Sequence, residues 1–184
     1  MSAEDRRAMI IDAVIPLLIE HGNNLTSRQI ADEIGIAEGT IFRVFGDKDS
    51  LISAALDTYF DPEPLRQSLR AIDPSLSLED KLRAIMGLLR NRFEGIFRMA
   101  SFFGHRHPRN PPDRTMFAQI VADVLAEDDD RLNWPPERVA HIARLLAFAS
   151  AFPQLNDGIE FSTDELTRVM MYGVIGVPAD AGQQ

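Results

Sequence analysis

The stretch that decides the fold is "IADEIGIAEGTIFRVFGDKDSL", residues 30–51. It holds two short runs with apolar residues at helical spacing: Ile30, Ala31 and Ile34, then Ile41, Val44 and Phe45. Gly35 separates the runs and Gly46 closes the second. Just upstream, "TSRQ" is a capping box, with Thr26 as the cap and Gln29 three residues on. Two short helices joined through a glycine turn make a helix-turn-helix, with the second helix poised for a groove. Gly39 keeps that helix thin where it meets a backbone. Thr40 offers a hydroxyl to a phosphate, and Arg43 has the fork that fits a guanine edge. Lys48 falls at the start of the next helix, which Asp47 caps and where backbone N–H groups also favour anions.

The charge balance constrains this reading. The 184 residues carry a formal net charge of −9. Residues 1–60 hold five cations (Arg6, Arg7, Arg28, Arg43 and Lys48) against ten anions. Phosphate neutralisation drives much of nucleic-acid affinity, so DNA binding here must work with a few well-placed cations on an acidic body. The absence of cysteine excludes disulfides and thiolate metal sites and points to a reducing compartment. No apolar run approaches the ~20 residues that span a membrane. "MSAEDRRAMI" is too acidic and too mixed for a secretory signal. A cytoplasmic protein with no membrane partner is expected. No phosphate-binding loop, nucleophile elbow or zinc-protease pair is present, so neither catalysis nor a cofactor is expected.

Outward from the central stretch, the pattern is helical throughout, and an all-α fold is expected. A first helix spans about Ala3 to His21, capped by Ser2, stopped by Gly22 and bent at Pro16. A fourth runs through Leu51, Ala54, Ala55 and Tyr59. "DPEP" at 61–64 then breaks the chain, which divides it into 1–60 and 61–184. From "SLED" at 77–80, Leu78, Leu82, Ile85, Leu89, Phe93, Ile96, Ala100 and Phe103 step by three or four without a miss. That is one helix of about 26 residues, roughly 39 Å at ~1.5 Å per residue. "GHRHPRNPPD" at 104–113 and "EDDDRLNWPP" at 127–136 read as loops, and Glu127–Asp130 as a solvated helix end. Helices are expected at about 114–127, 137–152 and 163–175, the last capped by Ser162. The tail "PADAGQQ" is expected to be loose.

Residues 25–56 resemble the TetR/AcrR family of transcriptional regulators. Thr26, Ile30, Ala31, Gly35, Ile36, Gly39, Thr40, Ile41, Phe42, Phe45, Lys48 and Leu51 fall in register with the family's signature. The resemblance implies a helix-turn-helix DNA-binding domain followed by a helical ligand-binding and dimerisation domain. It implies a homodimer on a palindromic double-stranded DNA operator, released by a small-molecule effector. By position, Ser27 and Arg28 touch DNA at the start of the second helix. Gly39, Thr40, Phe42, Arg43 and Val44 face the groove, and Lys48 faces a phosphate. The chain departs from the family where Phe42 replaces a common Tyr, Ala37-Glu38 a common Ser-Lys, and Gly46 a common Pro. These changes remove a phosphate-bonding hydroxyl and a cap, and they add a carboxylate near DNA. A ligand- or partner-binding module that has lost DNA binding is therefore the alternative.

In the remainder, Met86, Leu89, Phe93, Phe97, Phe102, Phe103, Met116, Phe117, Ile120, Trp134 and Phe148 are candidates to line an apolar, adaptable pocket. For each of them plain core is the competing reading. Ala140, Ala143, Ala147 and Ala151 recur at helical spacing, and small residues allow close helix approach. With Met170 and Met171 they are candidates for a dimer contact, or else pack inside one subunit. His105, Arg106, His107 and Arg109 form a titratable cluster with too few ligands for a metal site.

Overall fold

The computed structural model describes residues 2–103, 114–156 and 158–174. Among them every extended element is an α-helix and no strand occurs. The helices are α1 (Ala3–His21), α2 (Ser27–Ile34), α3 (Glu38–Phe45), α4 (Lys48–Tyr59) and α5 (Glu63–Arg70). They continue with α6 (Leu78–Phe103), α7 (Arg114–Leu125), α8 (Pro136–Ala151) and α9 (Thr163–Val174). Residues 104–113, expected above to be a loop and holding His105 and His107, and the residues beyond Val174 lie outside the described residues.

The chain forms two compact units. The first, here the head, comprises Met1–Asp61 and the separate segment Gly95–Pro111. The second, the body, comprises Pro62–Glu94 and Pro112–Gln184. Helix α6 is therefore shared in sequence, its Leu78–Glu94 portion with the body and the rest with the head.

Local chemistry sets the helix limits. Ser2 and Asp5 close a capping box at α1, and Thr26 and Gln29 close another at α2. Asp47 accepts the Ser50 amide at 2.6 Å and caps α4, and Ser77 accepts the Asp80 amide at the entry to α6. Ser162 and Glu165 reciprocate at α9. These contacts satisfy N–H groups that a helix start leaves without partners. They also hold the Asp5, Asp47 and Glu165 carboxyls below their ordinary values. In each case the backbone N–H of the serine three residues away is the main cause. Helix α1 runs unbroken through Pro16.

Apolar burial then fixes the head. Ile10, Ile11, Val14 and Leu18 of α1 meet Ile30 and Ala31 of α2, Ile41 and Phe45 of α3, and Leu51, Ile52, Ala55 and Leu56 of α4. Met99, on the last turns of α6, belongs to the same cluster. Gly95 is the residue that lets α6 join it. A Cβ there would collide with the Tyr59 hydroxyl, so a larger residue requires the Tyr59 side chain to move.

The body buries Leu69 of α5 with Leu78, Leu82, Ile85, Met86 and Leu89 of α6. Ile120, Val121, Val124 and Leu125 of α7 join them, as do Val139, Ala140, Ala143 and Ala147 of α8 and Leu166 and Met170 of α9.

Three features depart from the sequence reading. Helix α5 occupies 63–70, directly after the prolines that read only as a break. Pro62 and Pro64 suit a helix's first positions, where a missing N–H costs nothing. The acidic run is a short 3-10 segment, Ala126–Arg131, rather than a plain loop. Within it Asp128 is buried, not solvated. Its Oδ2 accepts from Lys81 Nζ at 2.8 Å and its Oδ1 from Arg131 at 2.9 Å. Lys81 itself is only 1% exposed. An unpaired charge at such depth is very costly, so each partner is held by the other.

Candidate nucleic-acid interface

Helices α2 and α3 meet at a turn built on Gly35, whose φ of 72° is left-handed and favours glycine. The Ile36 amide donates back to the Ala31 carbonyl across it at 2.9 Å. Helix α3 buries one stripe, Ile41 and Phe45, in the head's core. That fixes its rotation and leaves the opposite face outward. Gly39, Phe42 and Arg43 are exposed on it, and Thr40 and Val44 are half-buried at its flanks. A Cβ at Gly39 would meet nothing within 4 Å, so the backbone there lies open to an approaching surface. Phe42 is 46% exposed.

The other expected contacts sit at helix entries. Ser27 is half-buried and Arg28 exposed at the first turn of α2, with Arg28 3.9 Å from Asp32. Lys48 is half-buried at the first residue of α4. Ala37 gives α3 no side-chain cap, and Glu38 stands exposed beside that helix start.

The head also carries two adjoining open clefts that the sequence alone did not reveal. The larger, about 610 Å³, is lined by Ser2, Ala3, Glu4, Arg6, Arg7, Arg43 and Val44. The smaller, about 290 Å³, is lined by Arg6, Met9, Ile10, Ile36, Ala37 and Thr40. Arg6 and Arg7 escaped sequence reasoning because they lie on α1, far upstream of the motif. Only folding brings them beside α3.

The expected pocket residues are distributed differently. Met86, Leu89 and Ile120 are fully packed in the body's core, with Phe93 and Phe117 partly buried against it. Met116, Trp134 and Phe148 are exposed, and Arg138 lies over the Trp134 ring. Phe97, Phe102 and Phe103 belong to the head segment of α6. The expected dimer residues Ala140, Ala143, Ala147 and Met170 are buried in the body's own core. Ala151 is also buried, and Met171 half-buried. The outward stripes of α8 and α9 carry Leu145, Phe148, Val169 and Tyr172 instead. Among the described residues no group of three or more acidic, histidine or cysteine side chains could hold a metal ion. Nor is any helix there long and apolar enough to cross a membrane.

A helix-turn-helix with its second helix outward defines a DNA-binding head. Residues 10–55 match the family model of bacterial regulatory proteins, tetR family. This stretch of the chain is thus similar to the DNA-binding domain of that family. The whole chain is similar in fold to a TetR transcriptional regulator from Streptomyces coelicolor. The identity is 18% over 92% of this chain and 98% of that one, with a TM-score of 0.61. It is likewise similar to CprB, a TetR family protein of S. coelicolor, at 22% identity over 98% and 94% of the two chains and a TM-score of 0.56. No curated protein matches this sequence.

Proposed function

We infer that the chain is a ligand-responsive repressor in the cytoplasm. It binds a palindromic operator as a homodimer through two α3 helices and is released when a small apolar or amphipathic molecule binds the body. The observation that carries this reading is the division of α3. Ile41 and Phe45 anchor it, while Phe42 and Arg43 stand exposed beside Thr40. Arg43 supplies the base contact, Thr40 and Lys48 phosphate contacts, and Ser27 and Arg28 fix the register of α2 on the backbone. Phe42 offers no hydroxyl, so its ring makes apolar contact, as with a thymine methyl.

A dimer of this kind needs a self-complementary surface. The buried alanines of α8 are already spent on the subunit's own core. Leu145 at 54% exposure, Val169 at 52% and Tyr172 at 75% lie on the outward apolar stripes of α8 and α9 and serve the two-fold contact. Effector binding acts by shifting the population between a head spacing that fits the operator and one that does not. Pocket residues are sought among Phe93, Met116, Phe117, Trp134 and Phe148, which are not fully consumed by the core.

Selection from a random-sequence duplex library tests the reading. It should enrich a two-fold symmetric site with half-sites about one helical turn apart, or a multiple of that. Retention of library DNA without enrichment of any symmetric sequence contradicts it. The alternative, a module that no longer reads DNA, draws on Glu38 and the charge of −5 over residues 1–60 and predicts no retention at all.

A further inference from the structure

The head carries only five cations in its first 60 residues, and three of them line one cleft. Arg6 and Arg7 approach it from α1, and Arg43 with Val44 from α3. Arg6 also borders the adjoining cleft, which ends at Ala37 and Thr40 at the start of α3. The two clefts thus run side by side along α3, and Arg6 stands between them. The Arg7 guanidinium carbon lies 4.5 Å from the centre of the Phe45 ring, and Phe45 is buried. That stacking holds a long side chain in place before any ligand arrives, so little freedom is left to lose on binding. Glu4 also borders the larger cleft and is the one carboxylate among its lining residues.

We propose that Arg6 and Arg7 form a second, sequence-independent DNA contact, a clamp on a backbone phosphate adjoining the groove that Arg43 reads. The guanidinium fork matches phosphate oxygens in a bidentate way. A phosphodiester and a free phosphate share that chemistry. The cleft's open form and its continuity with Thr40 and Arg43 favour the duplex. This clamp also accounts for how residues 1–60, of net charge −5, hold DNA: their cations are concentrated rather than numerous. The inference rests on the DNA-binding reading and extends it to α1.

Phosphate contacts are independent of sequence, so the test needs no known operator. Anisotropy of the full chain on a mixed-sequence duplex is measured across a salt series. Arg6→Gln and Arg7→Gln are compared with Arg43→Ala and with Arg138→Gln, an equal loss of charge in the body. Arg7→Lys keeps the charge, and thermal melting checks that each variant folds. Each glutamine variant should lower the slope of log affinity against log salt, and the two together should lower it by about 0.9 for every head engaged. Arg7→Lys should restore most of that slope, and Arg138→Gln should leave it unchanged. An unchanged slope in both glutamine variants, while Arg43→Ala still weakens binding, overturns the clamp and leaves the DNA reading standing. Absence of any wild-type binding at low salt overturns both. Saturable binding of inorganic pyrophosphate that needs Arg6 and Arg7, with an unchanged DNA slope, assigns the cleft to a free anion and also overturns the clamp.

Discussion

The head and the body of this chain are built by the same physics and yet read very differently. In the head, one short helix is pinned by Ile41 and Phe45, and the proposed DNA contacts lie in the residues that are not pinned. Their types and their spacing are constrained together, because each must meet a fixed external shape. In the body, Leu82, Ile85, Met86 and Leu89 need only be apolar and of fitting volume. A core tolerates many sequences, while a DNA surface tolerates few. The family match covers residues 10–55, and the body shares only its fold with the structures it resembles.

The largest effect that sharpens this contrast is expected in the body. Asp128→Ala leaves Lys81 buried without its carboxylate and should cost about 3–5 kcal/mol in chemical denaturation. Replacing the pair together, Lys81→Met with Asp128→Leu, should cost far less. Equal losses would mean that the ion pair is not what holds the N-terminal end of α6 to the segment after α7. Next, Leu145→Glu with Val169→Glu should dissociate the dimer, a loss of at least about 2 kcal/mol of association visible by sedimentation. A dimer that survives both places the interface elsewhere than the outward face of α8 and α9.

In the head the expected effects are smaller but more specific. Arg43→Ala should cost about 1–3 kcal/mol of operator binding and relax the preference at one base pair. Lys48→Ala should weaken all sequences alike. If the two variants behave identically, their assigned roles are wrong. Thr26→Ala removes the cap of α2 and should lower the head's stability by about 1 kcal/mol with no change in base preference.

The smallest effect is on acid stability. The Asp5, Asp47 and Glu165 carboxyls are depressed by serine amides in the folded chain. Their contribution is present above the ordinary carboxylate range and fades as pH falls through the depressed values. Glu165→Gln should flatten that part of the stability–pH curve. An unaltered curve would remove Glu165 from the account.

Most of the helical framework was legible because caps and glycines are local signals. Ser2, Thr26, Asp47 and Ser162 announce four helix starts, and all four do the bonding their types suggest. What was not legible depends on distance in sequence. Nothing local says that Gly95 admits Tyr59, that Asp128 finds Lys81, or that Arg6 and Arg7 come beside Arg43. The α8 alanines left two readings open for the same reason. Their spacing shows a close-packing face, but not whether a second copy or the chain's own helices cover it.

The most direct test of the central claim is fluorescence anisotropy on DNA flanking the protein's own gene. It is run against random competitor at several salt concentrations. The account predicts a complex that survives competitor, weakens steeply with salt and loses its sequence preference in Arg43→Ala. Binding that competitor abolishes completely at every salt concentration, with Arg43→Ala indistinguishable from the unaltered protein, would contradict it.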